Sequence, residues 1–165
     1  MTIDAPLALY EGEVRPEWID YNGHMNVAYY VLAFDRATDA FFAHIGVDED
    51  YLRERGMSLF ALEAHVTYQR ELHAGDPLRV TTQLLDFDAK RLHYVHHMRH
   101  GTEGWLAATG EWLTIHVDME TRRSAPLPED IAARLAALRD AHAALPRPPE
   151  VGRVIGLAAG RAKAR

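Results

Sequence analysis

Cysteine is missing from all 165 residues. Disulfides, thiolate metal sites and a cysteine nucleophile are therefore excluded. The absence suits a reducing compartment, and a cytoplasmic location is the expectation. Serine is nearly absent as well, occurring only as Ser58 and Ser124. Neither stands in a G-x-S-x-G elbow, which argues against a serine hydrolase. There is no glycine-rich phosphate loop. No apolar run goes far enough without a charge to span a bilayer, so no membrane association is expected. Met1 to Pro6 has neither a basic start nor a long apolar core and does not read as a signal peptide. Positive charge is short too: 18 Lys and Arg against 24 Asp and Glu give a net charge of -6. General nucleic-acid binding needs a concentrated basic surface and is not expected. A local basic patch for one polyanionic ligand stays compatible with this balance.

What remains is an ordinary globular composition, 48% hydrophobic and 25% charged. The length points to one domain. Leu7 to Val14 reads as a strand, closed by Arg15-Pro16. From Val27 to Ile45, residues Tyr30, Phe34, Ala37, Phe41 and Ile45 fall on one helical stripe, widened by Leu32 and Phe42. Asp35, Arg36 and Asp39 form a narrow polar side, and Gly46 is a plausible stop. So apolar a helix needs cover on most of its circumference, which a curved sheet would supply. Asp48 to Arg55 predicts a short helix ended by Gly56. Strand signals follow over 60–68, 80–87, 92–99 and 105–118, separated by Gly75-Asp76-Pro77, Asp88 to Arg91 and His100 to Gly104. A last helix opens at Pro128-Glu129-Asp130. This order is α+β, with residues 1–145 as the domain and 146–165 as a C-terminal tail. The tail is expected to dock through Val154, Ile155 and Leu157.

The chemistry concentrates in Trp18-Ile19-Asp20-Tyr21-Asn22-Gly23-His24-Met25-Asn26. A carboxylate, an amide and an imidazole stand together where the long helix begins. A helix start carries unpaired N–H groups and partial positive charge. A carboxylate there can attack a carbonyl or activate water while the donors hold the oxyanion. Asp20 is the candidate reacting group; its other reading is a turn or cap residue. Asn22 and His24 either orient Asp20, place water or donate to the carbonyl, or else only fix the loop. Asn26 is expected to cap the helix.

The pattern Asp20, Asn22, His24, Asn26, Tyr29, joined by Glu63, His65, Tyr68, Glu71, Gly75-Asp76, Asp88 to His93 and His116-Val117-Asp118, resembles the hot-dog-fold acyl-CoA thioesterases. Within them it is similar to the betainyl-CoA thioesterases of carnitine degradation. The resemblance covers roughly the first 130 residues. It implies a long central helix wrapped by a curved antiparallel sheet. It also implies hydrolysis of a small acyl-CoA with Asp20, Asn22 and His24 as catalytic residues and with no metal or redox cofactor. A homodimer or homotetramer with interface active sites would follow. A non-catalytic acyl-CoA-binding module and an enoyl-thioester hydratase are the alternatives.

Other candidates have two readings each. Glu63 and His65 share a strand face and either complete the polar end of the substrate site or simply meet solvent. Lys90 and Arg91 are either a solvated hairpin tip or a clamp for coenzyme A phosphates, with Arg70 a further possibility. His93, His96, His97 and His100 would gather a metal on a helix, but on a strand they point alternately to opposite faces, so no metal is expected. Trp18, Tyr29, Tyr30, Phe60, Trp105 and Trp112 belong to the core by default. A trimethylammonium acyl group would bind against aromatic faces, although the sequence does not select them.

Overall fold

The computed structural model describes residues 3–157. Its elements are β1 (Leu7–Glu13), α1 (Val27–Ile45), α2 (Glu49–Arg55), β2 (Met57–Tyr68), β3 (Pro77–Phe87), β4 (Arg91–His100), β5 (Leu106–Asp118), β6 (Arg123–Ser124) and α3 (Glu129–His142). The strands form one antiparallel sheet in the order β1-β3-β4-β5-β2, with β6 beside β5. The sheet curls around α1, as the resemblance implies. No helix among the described residues is long and apolar enough to cross a membrane.

The α1 stripe predicted from spacing is the buried face: Tyr30, Phe34, Ala37, Phe41 and Ile45 are all at most 3% exposed. Phe34 stacks on His96 at 5.8 Å between ring centres, and Phe41 meets Tyr94 at 5.1 Å. This seats the helix on the sheet face that carries Tyr94 and His96. The helix approaches β5 closely because position 110 is glycine. A Cβ there would lie 2.9 Å from the Trp112 indole nitrogen and 3.1 Å from the Phe34 ring. On β5 the polar residues Thr114 and His116 turn inward and are buried, while Leu113 and Ile115 are only half-buried. His116 is satisfied inside: its Nε2 lies 2.8 Å from the Tyr51 hydroxyl and its Nδ1 3.1 Å from the Ala125 carbonyl.

His96 is fully enclosed, with its ring nitrogens 2.9 Å from the hydroxyls of Thr38 and Thr82. Burial pushes its pKa down from an ordinary 6.5 to about 3. The unfolded chain thus takes up this proton near pH 6.5, and the folded chain not until about pH 3. The resulting stability is complete above pH 6.5 and drains away through that window as pH falls. His97 and His142, also lowered by burial, slope the same way. Thermal unfolding midpoints should therefore fall steadily on acidification from pH 7 to 4. His96→Gln should flatten that slope, and an unchanged slope would mean that His96 does not contribute.

At the other edge, β2 pairs only with β5, so its second edge has no strand partner among the described residues. Its register shifts between Ala61 and Glu63, bulging at Leu62, which is 54% exposed. The segment after α3 does not dock as expected. Val154, Ile155 and Leu157 are 87%, 85% and 93% exposed. Instead Pro148 is buried, Gln83 Nε2 reaches the Pro146 carbonyl at 3.5 Å, and the Gly152 N–H donates to Glu111 Oε2 at 2.8 Å. Where the segment crosses the sheet it meets a carboxylate, which takes a backbone donor rather than an apolar side chain.

Candidate active site

A small closed loop carries Asp20. Ile19 and Met25 form an isolated antiparallel bridge, and the Asn26 N–H donates to the Trp18 carbonyl at 2.9 Å. The Gly23 N–H returns to the Asp20 carbonyl at 3.0 Å, with Gly23 at a φ of 82° that favours glycine. The Met25 N–H donates to the Leu72 carbonyl at 2.7 Å, which fastens the loop to the segment following β2. Below it Trp18 stacks on Tyr29 at 5.4 Å.

Both carboxylate oxygens of Asp20 are held. Oδ1 accepts from the Asn22 N–H at 2.8 Å, and Oδ2 accepts from Asn26 Nδ2 at 2.8 Å. The Asn22 backbone donor, then the Asn26 amide, hold its pKa below the ordinary 3.8, with a smaller pull from His24. Asp20 is therefore an oriented anion at neutral pH. Asn22 serves it chiefly through the backbone. His24 is turned elsewhere, with Nδ1 3.2 Å from the Met25 carbonyl and Nε2 3.6 Å from a Glu71 carboxylate oxygen.

Asn26 does more than the cap expected of it. Its Oδ1 accepts from the Ala28 N–H at 2.9 Å while its Nδ2 holds Asp20. The second role escaped sequence reasoning because a spacing of six matches neither helix nor strand periodicity; only loop closure brings the two residues together. Asn26→Ala should lose both bonds. We expect about 1 kcal/mol less stability and an activity loss whose acid limb moves to higher pH, as Asp20 loses a donor. Asn26→Asp keeps the cap acceptor but sets a second anion against Asp20. It should retain stability and still lose activity. Equal activity in the wild type and both variants would remove Asn26 from the site.

Glu63 and His65 lie elsewhere. With His93, Glu111, Trp112 and Arg153 they line a cavity of about 420 Å³. Glu111 is its hub, 2.7 Å from His93 Nε2 and 4.0 Å from His65 Nδ1. The histidine run alternates as strand geometry requires: His96 and His100 are buried, His93 and His97 half-buried on the opposite face. No group of three or more potential metal ligands clusters among the described residues. Lys90 and Arg91 sit at the hairpin between β3 and β4. Arg91 Nε and Nη2 are 2.8 and 2.6 Å from Asp88 Oδ2, which lowers the Asp88 pKa to about 2, and Lys90 Nζ is 3.3 Å from Ser124 Oγ. Arg70 stacks over Trp105 at 4.1 Å.

The family model described as thioesterase-like superfamily matches residues 14–135. The chain belongs to the thioesterase-like superfamily. Among relatives, a betainyl-CoA thioesterase of Pseudomonas aeruginosa is 47% identical over 92% of this chain and 95% of its own. An L-carnitine dehydrogenase/betainyl-CoA thioesterase of Ruegeria pomeroyi is 42% identical over 91% of this chain, which spans only 30% of that longer protein. A Staphylococcus aureus protein solved in complex with CoA superposes with a TM-score of 0.86 at 29% identity, covering 95% of this chain and 99% of that one. The hot-dog thioesterase resemblance read from the motif is thereby borne out.

Within one copy of this superfamily member, the candidate residues do not meet. Asp20 lies at the Tyr68 end of β2: Met25 bonds Leu72, and Tyr30 packs edge-on to Tyr68 at 5.3 Å. Arg91 lies at the opposite end, since it pairs with Ile115 and Ile115 pairs with Phe60. Glu63 and His65 fall between.

Proposed function

We propose that this protein hydrolyses betainyl-CoA to betaine and coenzyme A, with Asp20 as the reacting carboxylate. The observation that carries the reading is an anionic carboxylate held by two donors at the start of α1, in a chain 47% identical to a betainyl-CoA thioesterase. Asp20 either attacks the thioester carbonyl, forming an anhydride that water then opens, or takes a proton from an attacking water. In both routes the C–S bond breaks and the thiol leaves; at a pKa of about 8.5 it needs little help from a general acid. First-turn N–H groups of α1 face developing negative charge favourably. The Ala28 N–H is already taken by Asn26 Oδ1 and the Tyr29 N–H by the Asn26 carbonyl, which leaves Val27 as the donor for the oxyanion. Asn22 fixes Asp20, and His24 adds positive charge beside it when protonated.

The complete site is assigned to two copies. An exposed edge strand invites pairing, and a two-fold pairing of β2 with its counterpart would run antiparallel. The Tyr68 end of one copy then lies along the Met57 end of the other. Asp20 of one copy comes to the same end of the joined sheet as Lys90 and Arg91 of the second, where those cations can meet the coenzyme A phosphates. Glu63 and His65 lie along the joined region as substrate contacts. The test is thiol release from a panel of acyl-CoA esters. Rapid release from betainyl-CoA supports the reading. Binding without release from any ester would replace it with an acyl-CoA-binding module, and water addition to an enoyl ester without thiol release with a hydratase.

A further inference from the structure

We propose that the cavity bounded by α1, α2 and β2 is the subsite for the trimethylammonium group of the acyl chain, serving Asp20 of a second copy; this rests on the betainyl-CoA reading above. The cavity measures about 470 Å³. Its floor includes Tyr94 and Thr114, its walls the half-buried Phe42 and Trp112, and its rim Asp35, Asp39 and Glu49. No Lys, Arg or His lines it, and none of those three rim carboxylates has a basic partner within 4 Å among the described residues. The cavity at Glu63 and His65 differs, mixing Arg153 and histidines with its acids.

Acidity alone would not define a ligand. The interior adds a second observation. Thr114 is 1% exposed, and its hydroxyl has no hydrogen-bond partner among the described residues. Buried polar groups of this kind are uncommon. Aromatic faces, carboxylates and hydroxyl oxygens without donors are the surfaces that attract a quaternary ammonium, which offers polarised C–H groups and no N–H. Crowding agrees: burial, then the neighbouring Asp35 and Glu49 charges, raise the Asp39 pKa, the condition a bound cation would relieve.

Position decides which copy uses the cavity. Asp35 and Asp39 stand nine and thirteen residues beyond Asn26, so at 1.5 Å per helical residue they lie about 14 and 20 Å along α1 from the Asp20 end. The betainyl nitrogen is only two bonds from the carbonyl carbon, so one copy cannot supply both. Ser58, Leu59 and Ala61 of β2 also line the cavity, placing it at the Met57 end of the strand. Antiparallel pairing along β2 brings that end beside Asp20 of the second copy.

The neutral isostere 3,3-dimethylbutyryl-CoA, with carbon in place of the quaternary nitrogen, isolates the charge. We expect wild type to favour betainyl-CoA over it in kcat/KM, and Asp39→Asn and Asp35→Asn each to shrink that ratio at least tenfold. Calorimetric titration with glycine betaine, which needs no turnover, should show binding to wild type that weakens in both variants; circular dichroism confirms their folding. Thiol release with an unchanged ratio and unchanged betaine affinity in both folded variants would overturn the subsite and leave the thioesterase standing. Betaine binding lost in the variants, without thiol release from any ester, would uphold the subsite and retire the thioesterase.

Discussion

Asp20→Asn should lower kcat for betainyl-CoA on the order of 10³-fold while leaving the fold intact. The substitution keeps the side chain's size but removes the anion on which either route depends. It also sets an amide N–H against one of two positions that now face donors, the Asn22 N–H and Asn26 Nδ2. The loop has other ties, from Met25 to Leu72 and from Asn26 to Trp18, so the thermal midpoint should move by only a few degrees, as for a change of about 1 kcal/mol. Substrate affinity should change far less than turnover. Because the donors hold the Asp20 pKa below 3.8, the wild-type rate should show no acid limb from Asp20 until pH falls below that value. A rate in the variant within tenfold of wild type would assign the reaction to another group.

The second large effect concerns the free edge of β2. Leu62→Glu places a charge at the exposed bulge, and a two-fold axis through the paired strands would set it near its own copy. The bulge carries little core packing, since Leu62 is 54% exposed. The variant should therefore fold, sediment as a monomer and lose thiol release by about 10²-fold or more, the scale expected when reacting groups are misplaced. Diluting wild type until it dissociates should reproduce the loss. A monomer verified by sedimentation and turning over at the wild-type rate would show that one chain suffices. An oligomer that persists in Leu62→Glu, with full activity, would move the interface away from β2.

Much of the fold was legible because periodicity reports burial directly. Tyr30, Phe34, Ala37, Phe41 and Ile45 of the α1 stripe are buried, with Leu32 and Phe42 half-buried beside them, Gly46 ends the helix in a left-handed conformation, and Asn26 caps it. Alternation on β4 likewise separated the faces of the four histidines. Less was legible where polar residues turn inward. His116 occupies the core face of β5 because Tyr51 and the Ala125 carbonyl wait for it there, Thr114 follows on the same face by strand alternation, and no local pattern announces such partners. The C-terminal segment misled for a related reason: its apolar residues suggested docking, whereas its contacts are Pro148 and a backbone N–H on Glu111.

The order of the elements, the capped start of α1 and the candidate carboxylate were written in the sequence, because each depends on near neighbours along the chain. Tertiary structure alone decided that Asn26 holds Asp20, that Arg91 is paired with Asp88 at the far end of the sheet from Asp20, and that acids from α1 and α2 share one cavity with aromatic residues from β4 and β5. Those relations join residues distant in sequence. They are set by sheet register and by how the helix seats on it, quantities to which no single stretch of chain gives access.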